Sequence, residues 1–419
     1  MSDDASRPSE SPSSPRMARD GVDLFEALDT TIQTGGPEAA IAKLIDDLDS
    51  AGDYRALLDA LLLKARHDLG LPLLPWNSLS GLAEPGRGRF EERYVEAIRL
   101  VASRYLEAGE IPSAWSYFRA IGEPEPVAAA LDRYAGTDDA EMLGRVIDVA
   151  FQQGANPRRG FELILEHYGT CSAITALEQA PPADPAIQVG CIGALIRHLH
   201  RELHSNVRAD MARRGWTVTE SPTIAGLIAG RDELFADEAY HVDVSHLSAT
   251  VRYSILVTDR DALSLALDLA EYGRRLSPRL QFEGSPPFER TFEDHLDYLK
   301  ALAGDDPEPA LSRLRRRLES PAEDDFEATV PAQVLVNLLT RIGRHEEALE
   351  LLAERLGHLP DQMLSCPGLT ELALRSGRMD RLAVHSRRLG QAVSYLASRL
   401  QPARSANEER PTAAGKRTD

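Results

Sequence analysis

A chain of 419 residues with 43% hydrophobic side chains has ample material for buried cores and exceeds the size at which one compact core keeps growing, so several domains or an elongated array is expected. Its formal net charge of −19, from 66 acidic against 47 basic side chains, argues against general binding to phosphate backbones. Three separated cysteines (Cys171, Cys191 and Cys366) without CxxC spacing argue against a disulfide framework and for a reducing compartment.

The first 20 residues are rich in Ser, Pro and Asp and carry no apolar core of a signal peptide. They read as a disordered tail, as do residues 402–419. No apolar run approaches the roughly 20 residues of a membrane span, so the expectation is a cytoplasmic protein that does not enter a membrane. Only 6% of residues are aromatic while Ala, Leu, Glu and Arg abound, which favours helix over sheet.

Residues 21–183 form a first helical array. Apolar residues recur at helical spacing in Asp23–Thr34, Glu38–Asp49, Tyr54–His67, Phe90–Glu107 and Ala140–Gln153. Gly81 to Gly88, in GLAEPGRG, reads as a loop between arrays. Residues 184–258 break the rhythm. Asp184 to Arg214 predicts one helix of about 30 residues, roughly 45 Å long. Thr217, Val218 and Thr219 then favour extended backbone, and Ser245 is placed to cap the helix that carries His246. Helical periodicity returns in residues 259–401, interrupted by the Pro-rich aromatic loop QFEGSPPFERTF from Gln281 to Phe292, which reads equally as a lid or a connector. At the end of this array, Met379–Leu400 predicts an amphipathic helix suited to self-association.

The segment Ala332–Pro360 reads AQVLVNLLTRIGRHEEALELLAERLGHLP. Leu335 and Leu339 fall on one helix, Gly343 at a turn, Ala348 and Leu352 on a second helix, and Pro360 ends it. This spacing resembles one unit of the tetratricopeptide-repeat (TPR) family. A Gly followed five residues later by an apolar residue recurs at Gly109 and Ala114, Gly52 and Leu57, and Gly377 and Leu382. The full consensus is absent, since Val336 stands where the family usually has a Gly. The resemblance implies an all-α fold, an α-solenoid of antiparallel helix pairs, here with a long central helix and a short irregular insert. It also implies a concave surface for protein or peptide ligands.

Five of the eleven histidines, His198, His200, His204, His241 and His246, fall within residues 198–246. His200 and His204, four apart on a helix, share a face in the way two imidazoles reach one metal ion. His241, Asp243 and His246 follow around a loop-to-helix junction. Were the two segments to meet, His200, His204, His241, Asp243 and His246 would form a nitrogen and oxygen ligand set suited to Zn, Mn or Fe. An open position would support hydrolase or lyase chemistry. The opposing reading makes these residues surface and cap groups.

Other groups read as structural. Glu293, Asp294 and His295, and Glu162, Glu166 and His167, suggest solvated helix faces. Arg313, Arg315, Arg316 and Arg317 suggest a basic stripe paired with nearby acids, and Cys171 a structural thiol four residues after His167. No phosphate-binding glycine loop and no nucleophile elbow are present. The function expected on balance is a binding scaffold whose acidic surface suits a basic protein or peptide, and not nucleic acid. The alternative is a metal-dependent enzyme using the histidine cluster.

Overall fold

The computed structural model describes residues 23–74, 84–217, 221, 223–319 and 325–400. The two tails lie outside these residues, as do Val218 and Thr219. Among the described residues helix is the only regular structure, accompanied by one isolated bridge between Glu283 and Arg290. The chain divides into two compact units, the first through Gly160 and the second from Phe161. No described helix is long and apolar enough to cross a membrane.

The first unit contains α1 (Leu24–Ala51), α2 (Tyr54–Asp68), α3 (Gly86–Glu107), α4 (Ile111–Ala120), α5 (Glu125–Arg133) and α6 (Ala140–Ile147), which runs on into a π-helical turn at Asp148–Gln152. Gly36, at φ 80°, breaks α1 into the two segments that the periodicity predicts. The expected loop Gly81–Gly88 ends early, because the first turn of α3 already includes Gly86 and Gly88. From α1 to α5 each helix packs on the next in sequence. Tyr54, Tyr105 and Tyr117 form an aromatic column across α2, α3 and α4, with ring centroids 5.0 and 5.5 Å apart. Trp115 is buried and donates its indole N–H to Gln153 Oε1 at 2.7 Å.

The second unit follows the start of α7 (Pro157–Gln179) and contains α8 (Pro185–Arg213), α9 (Ile224–Ile228), α10 (Val244–Tyr253), α11 (Arg260–Arg275), α12 (Thr291–Ala303), α13 (Glu308–Glu319), α14 (Asp325–Arg341), α15 (His345–Arg355), α16 (Leu369–Ser376), α17 (Met379–Arg388) and α18 (Ala392–Leu400). The long helix α8 matches its predicted bounds within a residue at each end. It packs on α9, α10 and α11 together, whereas helices from α13 onward pack chiefly on their sequence neighbours. Gly273 on α11 admits the Phe292 ring of α12, since a Cβ there would lie 2.2 Å from a ring carbon. Met379–Leu400 is two helices and not one. Gly390, at φ 72°, ends α17, and Gln391 N–H returns to Ser386 O at 2.8 Å, the hydrogen-bonded closure of a helix C-terminus.

The turn between α14 and α15 shows how the Gly-plus-five spacing folds. Gly343 takes φ 82°, a left-handed conformation that costs a glycine little. Arg344 N–H reaches back to Leu339 O at 2.8 Å, and the chain re-enters helix one residue later. Ala348, five residues past the glycine, has no exposed surface and packs in a cluster with Leu335, Leu339, Leu349 and Leu352. Gly52, Gly109 and Gly377 take the same left-handed turn, and Leu57, Ala114 and Leu382 are buried in the same way. A fifth case, Gly122 with buried Val127, escapes the sequence reading because Pro124 and Pro126 obscure the helical period between them.

Candidate functional site

The histidine-rich segment and its partners lie within the second unit, where α8, α9, α10 and α11 meet. His200 and His204 do share a face of α8, with ring centroids 6.2 Å apart. His200 is buried and donates from Nε2 to Asp268 Oδ2 at 2.9 Å. Asp268 comes from α11 and is 7% exposed. Its two oxygens also accept the backbone N–H groups of Ile224 (2.7 Å) and Ala225 (3.0 Å), the opening of α9. Burial alone would raise the Asp268 pKa. The His200 hydrogen bond and the two amides outweigh it and hold the carboxyl below its usual range. His204 donates from Nε2 to Ser221 O at 2.9 Å. Together, the two histidines and Asp268 fasten the segment around residues 221–228 to α8 and α11.

Nearly two helical turns beyond His204 along α8, at Asp210, a second network forms. His241 Nδ1 accepts from the Tyr272 hydroxyl at 2.7 Å, and the same oxygen accepts the His241 backbone N–H at 3.0 Å. His241 Nε2 faces Asp210 Oδ2 at 3.4 Å, and Asp210 also receives Arg214 Nε at 2.7 Å. These partners assign the proton to Nε2 of a neutral ring. Burial holds the His241 imidazole below its ordinary pKa and pushes the Tyr272 hydroxyl above its own. Burial would raise Asp210 as well, but Arg214 and His241 bring it below the carboxylate range. The Asp–His–Tyr chain thus links an ionised carboxylate, a neutral imidazole and a neutral phenol that has no exposed surface. Asn206 Nδ2 adds a bond to His241 O at 2.8 Å.

Asp243 and His246 stand apart from both networks. Asp243, and not the expected Ser245, caps α10. Its Oδ1 accepts Ser245 N–H at 2.8 Å, the Ser245 hydroxyl, and His246 N–H at 3.3 Å. Asp243 wins because a single carboxylate oxygen, Oδ1, accepts three donors at once, which draws its pKa down, the Ser245 hydroxyl contributing most. His246 lies in the first turn, half-buried. His200 and His204 therefore serve the α8–α9–α11 junction, His241 the Asp210–Tyr272 network, and Asp243 with His246 the start of α10. Among the described residues, no group of three or more His, Cys, Asp or Glu side chains is arranged to hold a metal ion.

The remaining sequence candidates divide. Asp294 and His295, expected on a solvated face, are buried at 1% and 3% exposure. His295 Nδ1 donates to Thr291 O at 2.6 Å, and its ring stacks on Phe288 at 4.2 Å. Burial drives the imidazole down to about 4. Asp294 is raised by the same burial, against the Arg290 backbone N–H and the nearby Arg313. The left-handed Gly169 interrupts α7 between His167 and Cys171, so the two do not share a continuous helix face. Arg313 pairs with Asp297 at 2.6 Å and Arg315 with Glu347 at 3.1 Å. Asp268 and Tyr272, the anchors of both networks, escape sequence reasoning. The available signal is Asp268 itself, a lone acid inside the apolar run LALDLA. No family model matches the chain, and no curated protein matches it.

Proposed function

We propose that the chain is a non-catalytic helical-repeat scaffold, a degenerate TPR-like α-solenoid, that holds a basic protein or peptide segment. The observation that carries this reading is the recurrent left-handed glycine with a buried apolar residue five positions later, at Gly52, Gly109, Gly343 and Gly377. In a helical-repeat solenoid such a turn closes one helix pair, and stacked pairs line a concave surface for a ligand. Two further points support it. The imidazoles of His200, His204 and His241 are spent on Asp268, Ser221, Tyr272 and Asp210, which suits clamps that hold the scaffold in one shape. The net charge of −19 favours a cationic partner through long-range attraction.

The test is fluorescence anisotropy of labelled Lys/Arg-rich and Asp/Glu-rich peptides titrated with the full chain at two salt concentrations. Saturable binding of basic peptides that weakens with salt supports the scaffold. The reading fails if no peptide binds while the chain retains stoichiometric Zn, Mn or Fe that a His200→Ala, His241→Ala double variant loses. That second outcome would return the histidine cluster to metal chemistry.

A further inference from the structure

A cavity of about 280 Å3 opens between α10 and the 281–290 loop with the first turn of α12. One wall is a single face of α10, where Ser245, Ser248 and Arg252 recur at helical spacing. The other carries Phe282, Glu283 and Thr291. This volume falls just under the roughly 300–1,000 Å3 of pockets for drug-sized ligands, so the occupant is small.

The loop wall is built and not loose. Thr291 Oγ1 donates to Phe282 O at 3.1 Å, Gly284 N–H to Glu289 O at 2.8 Å, and Gln281 Nε2 to Leu276 O at 2.8 Å. Gly284 is fitted so closely that a Cβ would lie 2.0 Å from Phe288 O.

The polar groups in this cavity are sorted by sign. Arg252 is exposed and has no hydrogen bond or ion pair among the described residues, in a chain where acids outnumber bases. Ser248 is 4% exposed, lines the cavity, and its hydroxyl likewise has no partner among those residues. The residue is largely covered, but its hydroxyl oxygen is not among the buried atoms that lack a partner, so it is accessible from the cavity. Arg252 and Ser248 thus offer donors. The opposite set offers acceptors. The Glu283 carboxylate has no side-chain partner among the described residues, while the Ser245 and Thr291 hydroxyls spend their protons on Asp243 and Phe282 O and keep lone pairs free.

We propose that this cavity binds a small zwitterion of the α-amino-acid class. Its carboxylate lies on the Arg252 guanidinium and the Ser248 hydroxyl, its ammonium faces Glu283 with Ser245 and Thr291, and its side chain rests against the half-exposed Phe282 ring. The opposed charges cancel, which disfavours a polyanion such as a nucleotide phosphate chain. The site is independent of the scaffold reading, since it shares no residue with the repeat turns.

Calorimetric titration of the full chain with each of the standard L-amino acids tests this, with acetate and methylamine as half-ligands. The expected result is saturable binding of one or a few amino acids. Arg252→Ala, Glu283→Gln and Ser248→Ala each weaken it by about tenfold or more, the loss expected of a charge-assisted hydrogen bond. The unliganded melting temperature stays unchanged in the Arg252 and Glu283 variants. The half-ligands bind far more weakly than the amino acid. Any of three results overturns the proposal. These are no binding by any amino acid, binding undiminished in both charge variants, or acetate binding as tightly as the best amino acid. A loss of stability in both charge variants without ligand binding would show that Arg252 and Glu283 instead pair with each other and close the cavity.

Discussion

The stretch from α8 to α12 and the stretch from α13 to α17 are built from the same helices by different means. In the later stretch, neighbours in sequence are neighbours in space, and the packing residues are Leu, Ala and Val around a left-handed glycine. In the earlier stretch, α8 meets not only its sequence neighbour α9 but also α10 and α11 further along, and side-chain hydrogen bonds between His, Asp and Tyr fix the arrangement. Local pattern suffices where contacts are local. Where a helix must find partners far along the chain, directional and buried polar groups specify which face meets which, at the cost of desolvating them.

This contrast is sharpest at Asp268. Asp268→Ala removes the partner of His200 and of two helix-opening amides, and is expected to cost about 3–5 kcal/mol in urea denaturation, since each buried donor left unpaired costs about 1–3 kcal/mol. A cost under 1 kcal/mol would mean that the earlier stretch, too, is held by apolar packing alone.

Acid probes the same stretch without mutation. His295 titrates near 4 in the fold against about 6.5 when unfolded, so below pH 6.5 the unfolded chain takes up a proton that the native chain refuses. Stability therefore falls with pH, by roughly 2 kcal/mol from about pH 7.5 to about pH 5 for His295 alone. His241 and His198, also lowered by burial, act in the same direction. Asp294, raised by burial, acts in the opposite sense as its carboxyl protonates. Denaturation midpoints of His295→Asn across that range are expected to show a flatter profile; an unchanged profile would remove His295 from the account.

In the later stretch the effects are smaller. Gly343→Ala meets no atom within 4 Å, so only the left-handed backbone resists it, at about 1 kcal/mol in thermal denaturation. Arg315→Ala removes an exposed pair with Glu347 and is expected to change stability by under about 0.5 kcal/mol. A larger loss there would show that surface ion pairs, and not the apolar core, align α13 with α15.

What the sequence reveals follows the same division. The α14–α15 turn was legible because Gly343, Ala348 and Leu352 express their roles within ten residues. The length of α8 was legible from uninterrupted periodicity. The histidines drew attention for their clustering, but their partners lie far along the chain. Asp268 is 68 residues from His200, and Tyr272 is 31 from His241. Hydrophobic period says nothing about which distant acid a buried imidazole will meet. The same blindness placed His295 on a wet face, since its burial depends on Phe288 and the folded loop before it. The helix break at Gly390 was missed for another reason, because an amphipathic pattern continued across the glycine.

The absent side chain at Gly273 has a consequence beyond the close approach of two helices. Because the Phe292 ring fills that space, the preceding residue, Thr291, is set at the height where its hydroxyl meets the Phe282 carbonyl. A methyl group at position 273 would push α12 outward from beneath, and the displacement would emerge at the cavity mouth, on residues it never touches. Gly273 thus acts as a shim: its thickness of zero sets the gauge of an opening that begins one residue away from the ring it admits.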